Sequence, residues 1–192
     1  MNFVRLWFLG LINPSGMLNE LKDKPAPVWG VWAVLIRFLV TSLTSILALY
    51  LLDRLPFAPS RLTFLPVADY YKAEIFFLPL WGLGIWLLMS GMAHVVIRLF
   101  GKISDFDQIL NIIGMGMLVP MPVLWLFDWA TIASGWYGMI AQATSHSLIQ
   151  LWETGIEALG LKRILGLRLS GAVALAAVIN VVYVLLAIIF IR

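Results

Sequence analysis

Two long apolar runs joined by a short polar connector dominate the chain. Ile75 to Ala93 carries no formal charge, and neither does Gln108 to Phe127; between them lie His94, Arg98, Gly101, Lys102, Ser104, Asp105 and Asp107. About 20 apolar residues cross a bilayer as a helix, so this pattern predicts a helical hairpin with its turn at the membrane surface. Gly101 is the expected stop of one helix. Ser104-Asp105-Phe106-Asp107 is the expected start of the next, because short acceptor side chains satisfy the first free N–H groups.

The same pattern recurs on both sides. Met1 to Ile12 is apolar around Arg5 and too short to span; it either lies in the interface with its Trp and Phe at headgroup depth or packs on the bundle. Asn13-Pro14-Ser15-Gly16 ends it. Leu18 to Lys24 reads as a polar, surface-exposed stretch, and Pro25 and Pro27 introduce the next helix. Val28 to Leu52 is the first span, with Arg37 inside it. A cation at that depth costs at least about 2.5 kcal/mol, so Arg37 must snorkel outward or find an acidic partner. Leu55 to Glu74 reads as a loop containing Pro56, Pro59 and Pro66, with Tyr70 and Tyr71 at the re-entry level. The second span starts at Ile75, with Pro79 in its first turn, and its Gly82, Gly84, Ser90 and Gly91 allow close helix approach.

In the third span Pro120 and Pro122 fall near the middle. They should kink or break the helix and leave carbonyls without their usual donors, and a break is tolerated only against protein or a wet cavity. Asp128 is expected near the far surface. A turn near Ser134-Gly135 leads to a fourth helix, Tyr137 to Leu159. There Gln142, His146, Gln150, Glu153 and Glu157 follow steps of four, four, three and four, one helical stripe that should face inward. Gly160 to Arg168 is a basic connector, and Leu169 to Ile191 the fifth span, with Asn180 as its one strongly polar residue.

The fold class expected is therefore all-α, a polytopic membrane helical bundle of five transmembrane helices (28–192) preceded by a short N-terminal interfacial or cytoplasmic segment (1–27). Composition agrees: 62% of the 192 residues are hydrophobic and 12% charged, against about 45–50% and about 25% in soluble domains. Nothing resembles a cleavable signal peptide, because apolar segments recur to the last residue. With no Cys, thiol catalysis, disulfides and Cys-ligated zinc are excluded. Charge placement sets orientation. With the N-terminus inside, inner segments hold Arg5, Lys22, Lys24, Arg98, Lys102, Lys162, Arg163 and Arg168, and outer ones Arg54, Arg61, Lys72 and Arg192. That asymmetry predicts N-in, C-out.

The hairpin, with its flanks, resembles the Yip1 domain family of polytopic membrane proteins. The resemblance rests on Ser90-Gly91-Met92-Ala93-His94, Leu99-Phe100-Gly101-Lys102, Ser104-Asp105-Phe106-Asp107-Gln108, and the proline-containing third helix ending at Pro120. Asn13-Pro14 with Leu18-Asn19-Glu20-Leu21, and Leu151-Trp152-Glu153 through Leu161-Lys162-Arg163, add to it. It implies five spans, homo- or hetero-association and, for eukaryotic members, Golgi and ER vesicle traffic with Rab GTPases. Those members carry a long hydrophilic N-terminal region. Only 27 residues precede the first span here, which argues against a Rab-type GTPase partner and for a prokaryotic relative in the inner membrane.

For chemistry, the residues themselves suggest an intramembrane polar cluster of Arg37, His94, Arg98, Asn111, Glu153 and Glu157, with Arg37 or Arg98 pairing Glu153 or Glu157. Such a cluster either ties helices together or marks an ion, proton or lipid-headgroup site. Pro120, Pro122, Gln142, His146 and Gln150 outline a possible pathway. No metal site, cofactor or nucleic-acid partner is expected: there is no His-Glu-x-x-His pattern, and no Gly-rich phosphate loop. Gly114 and Gly116 read as a packing notch. Ser145-His146-Ser147 does not make a hydrolase, since adjacent residues on a helix point apart. Lys162, Arg163 and Arg168 suit anionic headgroups or simply set topology. The expectation is a non-enzymatic membrane protein that organises membrane or recruits partners, with the lipid bilayer and a homodimer as associates. A small transporter or channel-like protein, moving an ion or lipid through a polar path between spans three and four, is the alternative, ahead of a membrane-embedded enzyme.

Overall fold

A computed structural model describes residues 2–23, 26–57, 61 and 64–191. Lys24, Pro25, Pro59 and Arg192, which figure in the sequence reading, lie outside these residues. The described chain is helical throughout: α1 (Phe3–Ile12), α2 (Pro14–Lys22), α3 (Val28–Val40), a π-helical stretch (Thr41–Ile46), α4 (Leu47–Leu51), a 3-10 turn (Val67–Asp69), α5 (Tyr70–Leu99), α6 (Phe106–Leu118), α7 (Met121–Ser134), α8 (Met139–Leu165) and α9 (Leu169–Phe190). Four continuous runs are long and apolar enough to cross a membrane: Val28–Leu51, Val67–Leu99, Phe106–Ser134 and Leu169–Phe190. α8 is long enough, but its polar stripe keeps it out of that set.

The hairpin forms as its punctuation requires. Gly101 takes a left-handed φ of 68° at the end of α5, a conformation that glycine adopts without strain. The Asp105 carboxylate then accepts the Gln108 N–H at 3.2 Å and caps α6. The prolines break the third span into α6 and α7, as expected. Gly135, with φ 76°, closes α7, and Gly166, with φ 68°, closes α8.

Several boundaries differ from the sequence reading. α5 begins at Tyr70, so Pro79 lies inside a helix and Glu74 is buried in one; the aromatic Tyr70-Tyr71 pair continues the helix outward because both rings bury. α8 runs on to Leu165, leaving only 166–168 as the connector and placing Lys162 and Arg163 in a last turn, where cations suit the helix dipole. The stretch from Leu18 is not simply surface. Asn19, Glu20 and Lys22 are exposed, but Leu18 and Leu21 are fully buried with Met17, so α2 is an amphipathic helix seated on α6 and α8. The polar composition of that stretch concealed a two-residue apolar stripe.

The spans alternate in direction. α3 and α6–α7 run side by side in the same sense: Gly30 meets Asn111, Arg37 meets Met117, Thr41 meets Trp125 and Thr44 meets Trp129. α8 runs against them, from Gln142 beside Thr131 to Gly160 beside Ile112 and Leu18. α5 and α9 are also antiparallel, with the Tyr70 hydroxyl donating to the Phe190 carbonyl at 2.6 Å. One end of the bundle therefore collects α2, Lys102, Lys162, Arg163 and Arg168. This basic end is packed tightly. At the α3–α6 crossing a Cβ built on Gly114 would stand 2.6 Å from the Cα of Gly30, so the two backbones touch.

α1 resolves the choice left open by its sequence. Leu6 and Gly10 are buried, Phe3 stacks on Trp29, and Trp7 meets Trp125 edge-on, while Val4, Phe8 and Ile12 point outward. One face packs on the bundle and the other is free to meet lipid.

In the first span the π-helical stretch follows Arg37 by one turn. Leu47 N–H reaches back five residues to the Ser42 carbonyl. Thr41 and Thr44 hydroxyls donate to the Arg37 and Val40 carbonyls at 2.9 and 2.6 Å, satisfying acceptors that a widened helix holds less firmly.

Candidate functional site: a buried ion pair beneath a cavity

Four elements converge at the middle of the bundle. Arg37 on α3, 6% exposed, lies 2.7 Å from Glu153 on α8, 1% exposed. The same guanidinium donates to the Met117 carbonyl at 2.6 Å and to the Tyr183 hydroxyl at 3.2 Å. Met117 precedes the break at Pro120. There the residues four ahead of Gly116 and Leu118 are prolines without an N–H, and a planar five-donor cation can serve this donor-poor segment. Arg37 thus joins α3, α6, α8 and α9.

One turn toward the basic end, Asn180 on α9 donates to Glu157 Oε2 at 2.5 Å and accepts from Gln150. Gly116 makes room for Glu157, since a Cβ there would stand 2.7 Å from its Cγ. The expected packing notch at Gly114 and Gly116 is therefore real and has two different partners. Replacing Asn180 by leucine strands both Gln150 and Glu157 at once. The expected loss is about 2 kcal/mol, the size typical of an unsatisfied buried polar group, and the unfolding midpoint in detergent would report it.

The expected cluster is only partly assembled. Arg37 and Glu153 meet as foreseen, and Glu157 joins through Asn180. Asn111 is fully buried but does another job. It accepts the Gly30 N–H and donates to the Ala26 carbonyl, both at 2.8 Å, tying α6 to the start of α3. His94 lies in the hairpin, 2.9 Å from the Ser104 hydroxyl and edge-on to Phe106. Arg98, one turn on, is exposed. Their sequence spacing is right for a shared face, but that face looks toward the connector. Asn180 and Tyr183 were missed as members. Their signal was faint: one amide in an apolar helix, and a tyrosine three residues on.

Above the ion pair, away from the basic end, lies a cavity of about 920 Å³. Gln142, His146, Gln150 and Glu153 line it from α8, so the stripe does turn inward, although His146 at its rim is 53% exposed. Met121 lines it, whereas Pro120 and Pro122 do not. Asp128, expected near the far membrane surface, turns into the bundle. It is buried, faces this cavity, and has His146 Nε2 3.7 Å from its Oδ1. Trp125 and Trp129 beside it donate to Thr41 and Thr44 instead of anchoring freely at an interface, and that pulls Asp128 inward. Among the described residues no three His, Asp or Glu side chains gather as a metal site would need.

A helical bundle built from apolar runs of membrane-crossing length, with a buried Arg37–Glu153 ion pair inside it, defines an integral membrane protein. The model of the Yip1 domain matches residues 9–191, nearly the whole chain, and the protein belongs to that family. No curated protein and no solved structure matches it.

Proposed function

We propose that the chain is a non-enzymatic membrane protein that crosses the bilayer five times and organises membrane or recruits partners. The observation that carries this reading is the solid packing below the Arg37–Glu153 pair. Gly30 against Gly114, Gly116 against Glu157, and Gly160 against Ile112 and Leu18 bring the helices into close contact between the pair and the basic end. α8 is the fifth crossing: its 27 residues span roughly 40 Å at about 1.5 Å each, more than the hydrocarbon thickness. Its low apolarity reflects a stripe that faces protein. The basic end, with Lys102, Lys162, Arg163 and Arg168, supports an N-in, C-out orientation, and the outward face of α1 supports its contact with the interface. The membrane is the inner membrane if the protein is prokaryotic and Golgi or ER if eukaryotic. Gly84 and Gly91, on the open side of α5 with nothing within 4 Å of a built Cβ, suit a homodimer contact. A Rab-type GTPase is not among the proposed partners.

The cavity favours a second reading, a small transporter held shut at its floor by the ion pair. Proteoliposomes decide between the two. Flux of protons and monovalent cations, and lipid scrambling, are expected to match protein-free vesicles, and copurification from native membrane should yield protein or lipid associates. Saturable flux abolished by Glu153→Gln would replace the first reading with the second.

A further inference from the structure

The cavity has a chemical polarity that neither functional reading uses. Three of its lining groups come from three separate elements: Ser45 in the π-helical stretch, Asp128 on α7 and Gln142 on α8. All are more than nine-tenths buried, at 3%, 4% and 8% exposure. Ser45 Oγ, Asp128 Oδ1 and Gln142 Oε1 each lack a hydrogen-bond partner. They lie at one level of the bundle. Gln142 donates one of its amide N–H groups to Thr131 at 3.2 Å, one turn from Asp128, and Trp129 ties Asp128's neighbourhood to Thr44, next to Ser45.

What these groups want is a donor. A carboxylate only accepts, the Gln142 amide oxygen only accepts, and a hydroxyl adapts to either role. The basic side chains in view do not meet the demand. Arg37 is engaged on the floor by Glu153, Met117 and Tyr183. His146, 3.7 Å from Asp128, is at the exposed rim. The remaining walls are apolar and aromatic, with Trp81, the stacked Phe57–Tyr137 pair at 5.1 Å, and Val181 and Ile188 of α9. A bare metal ion would need more oxygen ligands and gain nothing from such walls. An anion would meet Asp128 and Glu153. The volume falls in the range of small-molecule sites, which combine apolar walls with a few placed polar groups.

We propose that this cavity binds a protonated amine attached to an apolar body, the ammonium donating to Asp128 Oδ1, Gln142 Oε1 and Ser45 Oγ and the apolar body lying against Trp81, Phe57, Tyr137 and α9. The amine is either a free amphiphile or the amino headgroup of a membrane lipid, which present the same chemistry. The site stands on the cavity alone and survives the failure of either functional reading.

The test is a titration of the purified full chain in nanodiscs of phosphatidylcholine, following the unfolding midpoint with octylamine, octanol, octanoate and octyltrimethylammonium. Octylamine is expected to raise the midpoint saturably, and the other three are not, since they lack either the charge or the N–H donors. Asp128→Asn keeps the shape and should weaken octylamine by at least about tenfold, the effect of losing a charge-assisted hydrogen bond. Gln142→Leu, on another helix, should weaken it too, so the idea remains testable if the first variant does not fold. His146→Gln removes the rim imidazole that competes for Asp128 and should leave binding intact or tighter. Competition by added phosphatidylethanolamine identifies the lipid as the source, and its failure to compete identifies a free amine; both uphold the site. Equal stabilisation by octanol, or octylamine binding indifferent to both Asp128→Asn and Gln142→Leu, would overturn it.

Discussion

Replacing Glu153 by leucine is expected to destabilise the bundle by about 3–5 kcal/mol, the range for breaking one side of a buried ion pair. Replacing Arg37 by methionine should cost distinctly less. The asymmetry follows from what each survivor can do. A carboxyl left alone in a dry site can neutralise itself by taking up a proton, whereas a guanidinium cannot lose one. After Glu153→Leu, Arg37 keeps the Met117 carbonyl and the Tyr183 hydroxyl but has lost the anion 2.7 Å away. The double replacement Arg37→Met with Glu153→Leu should recover most of the loss, because buried pairs exchange for apolar residues at little net cost. Unfolding midpoints in one detergent measure all three. A double variant no better than Glu153→Leu alone would mean that the pair supports the Met117 carbonyl more than it balances charge.

Gly30→Val is expected to be the most damaging change that touches no charge. A Cβ at Gly30 would stand 2.3 Å from the Leu110 carbonyl oxygen and 2.8 Å from its carbon. These are backbone atoms of α6, so no rotamer change relieves the clash and the helices must separate. Separation also pulls apart the Gly30 N–H and Asn111 side chain, now at 2.8 Å, and the Leu110 carbonyl is further fixed by Trp86 Nε1 at 2.9 Å. Overpacking usually costs about 1–3 kcal/mol, and with backbone on both sides the expectation is about 3 kcal/mol or more. Gly84→Val, where nothing lies within 4 Å, is the matched control and should leave the monomer's unfolding midpoint unchanged. Equal behaviour of the two variants would place the crossing elsewhere.

Much of this architecture was legible from residue order because the bilayer imposes lengths and the breakers are blunt. Gly101 and Gly135 stop helices, Asp105 starts one, and Pro120 with Pro122 splits another, each through local backbone chemistry. The inward stripe of α8 was legible for the same reason: a 3.6-residue period needs no partner to be seen. What could not be seen was which stripe residue met which neighbour. His94 and Arg98 share a face by spacing, yet whether that face turns to the bundle or to the connector depends on how α5 is rotated, and rotation is set by distant packing such as Gly82 against Phe38. That Asp128 turns into the bundle was not legible, because tryptophans flanking an acid look like an interfacial belt. Here they bond inward to Thr41 and Thr44. The pairing of Arg37 with Glu153 was legible as a need, and the roles of Tyr183 and Asn180 were not, since one amide in an apolar helix has no period.

The widened turn at Thr41–Ile46 has a bearing on how the molecule can vary. A helix that takes in one surplus residue must either swing everything beyond it by about 100° or absorb the surplus on the spot. Here it is absorbed, between a floor fixed by Arg37 and an anchored far end at Leu49. The wall carrying Ser45 can therefore be re-cut by adding or shedding a single residue while both ends of the span keep their seats. Relatives that differ in length at this spot would share a floor and differ in what the mouth above it admits.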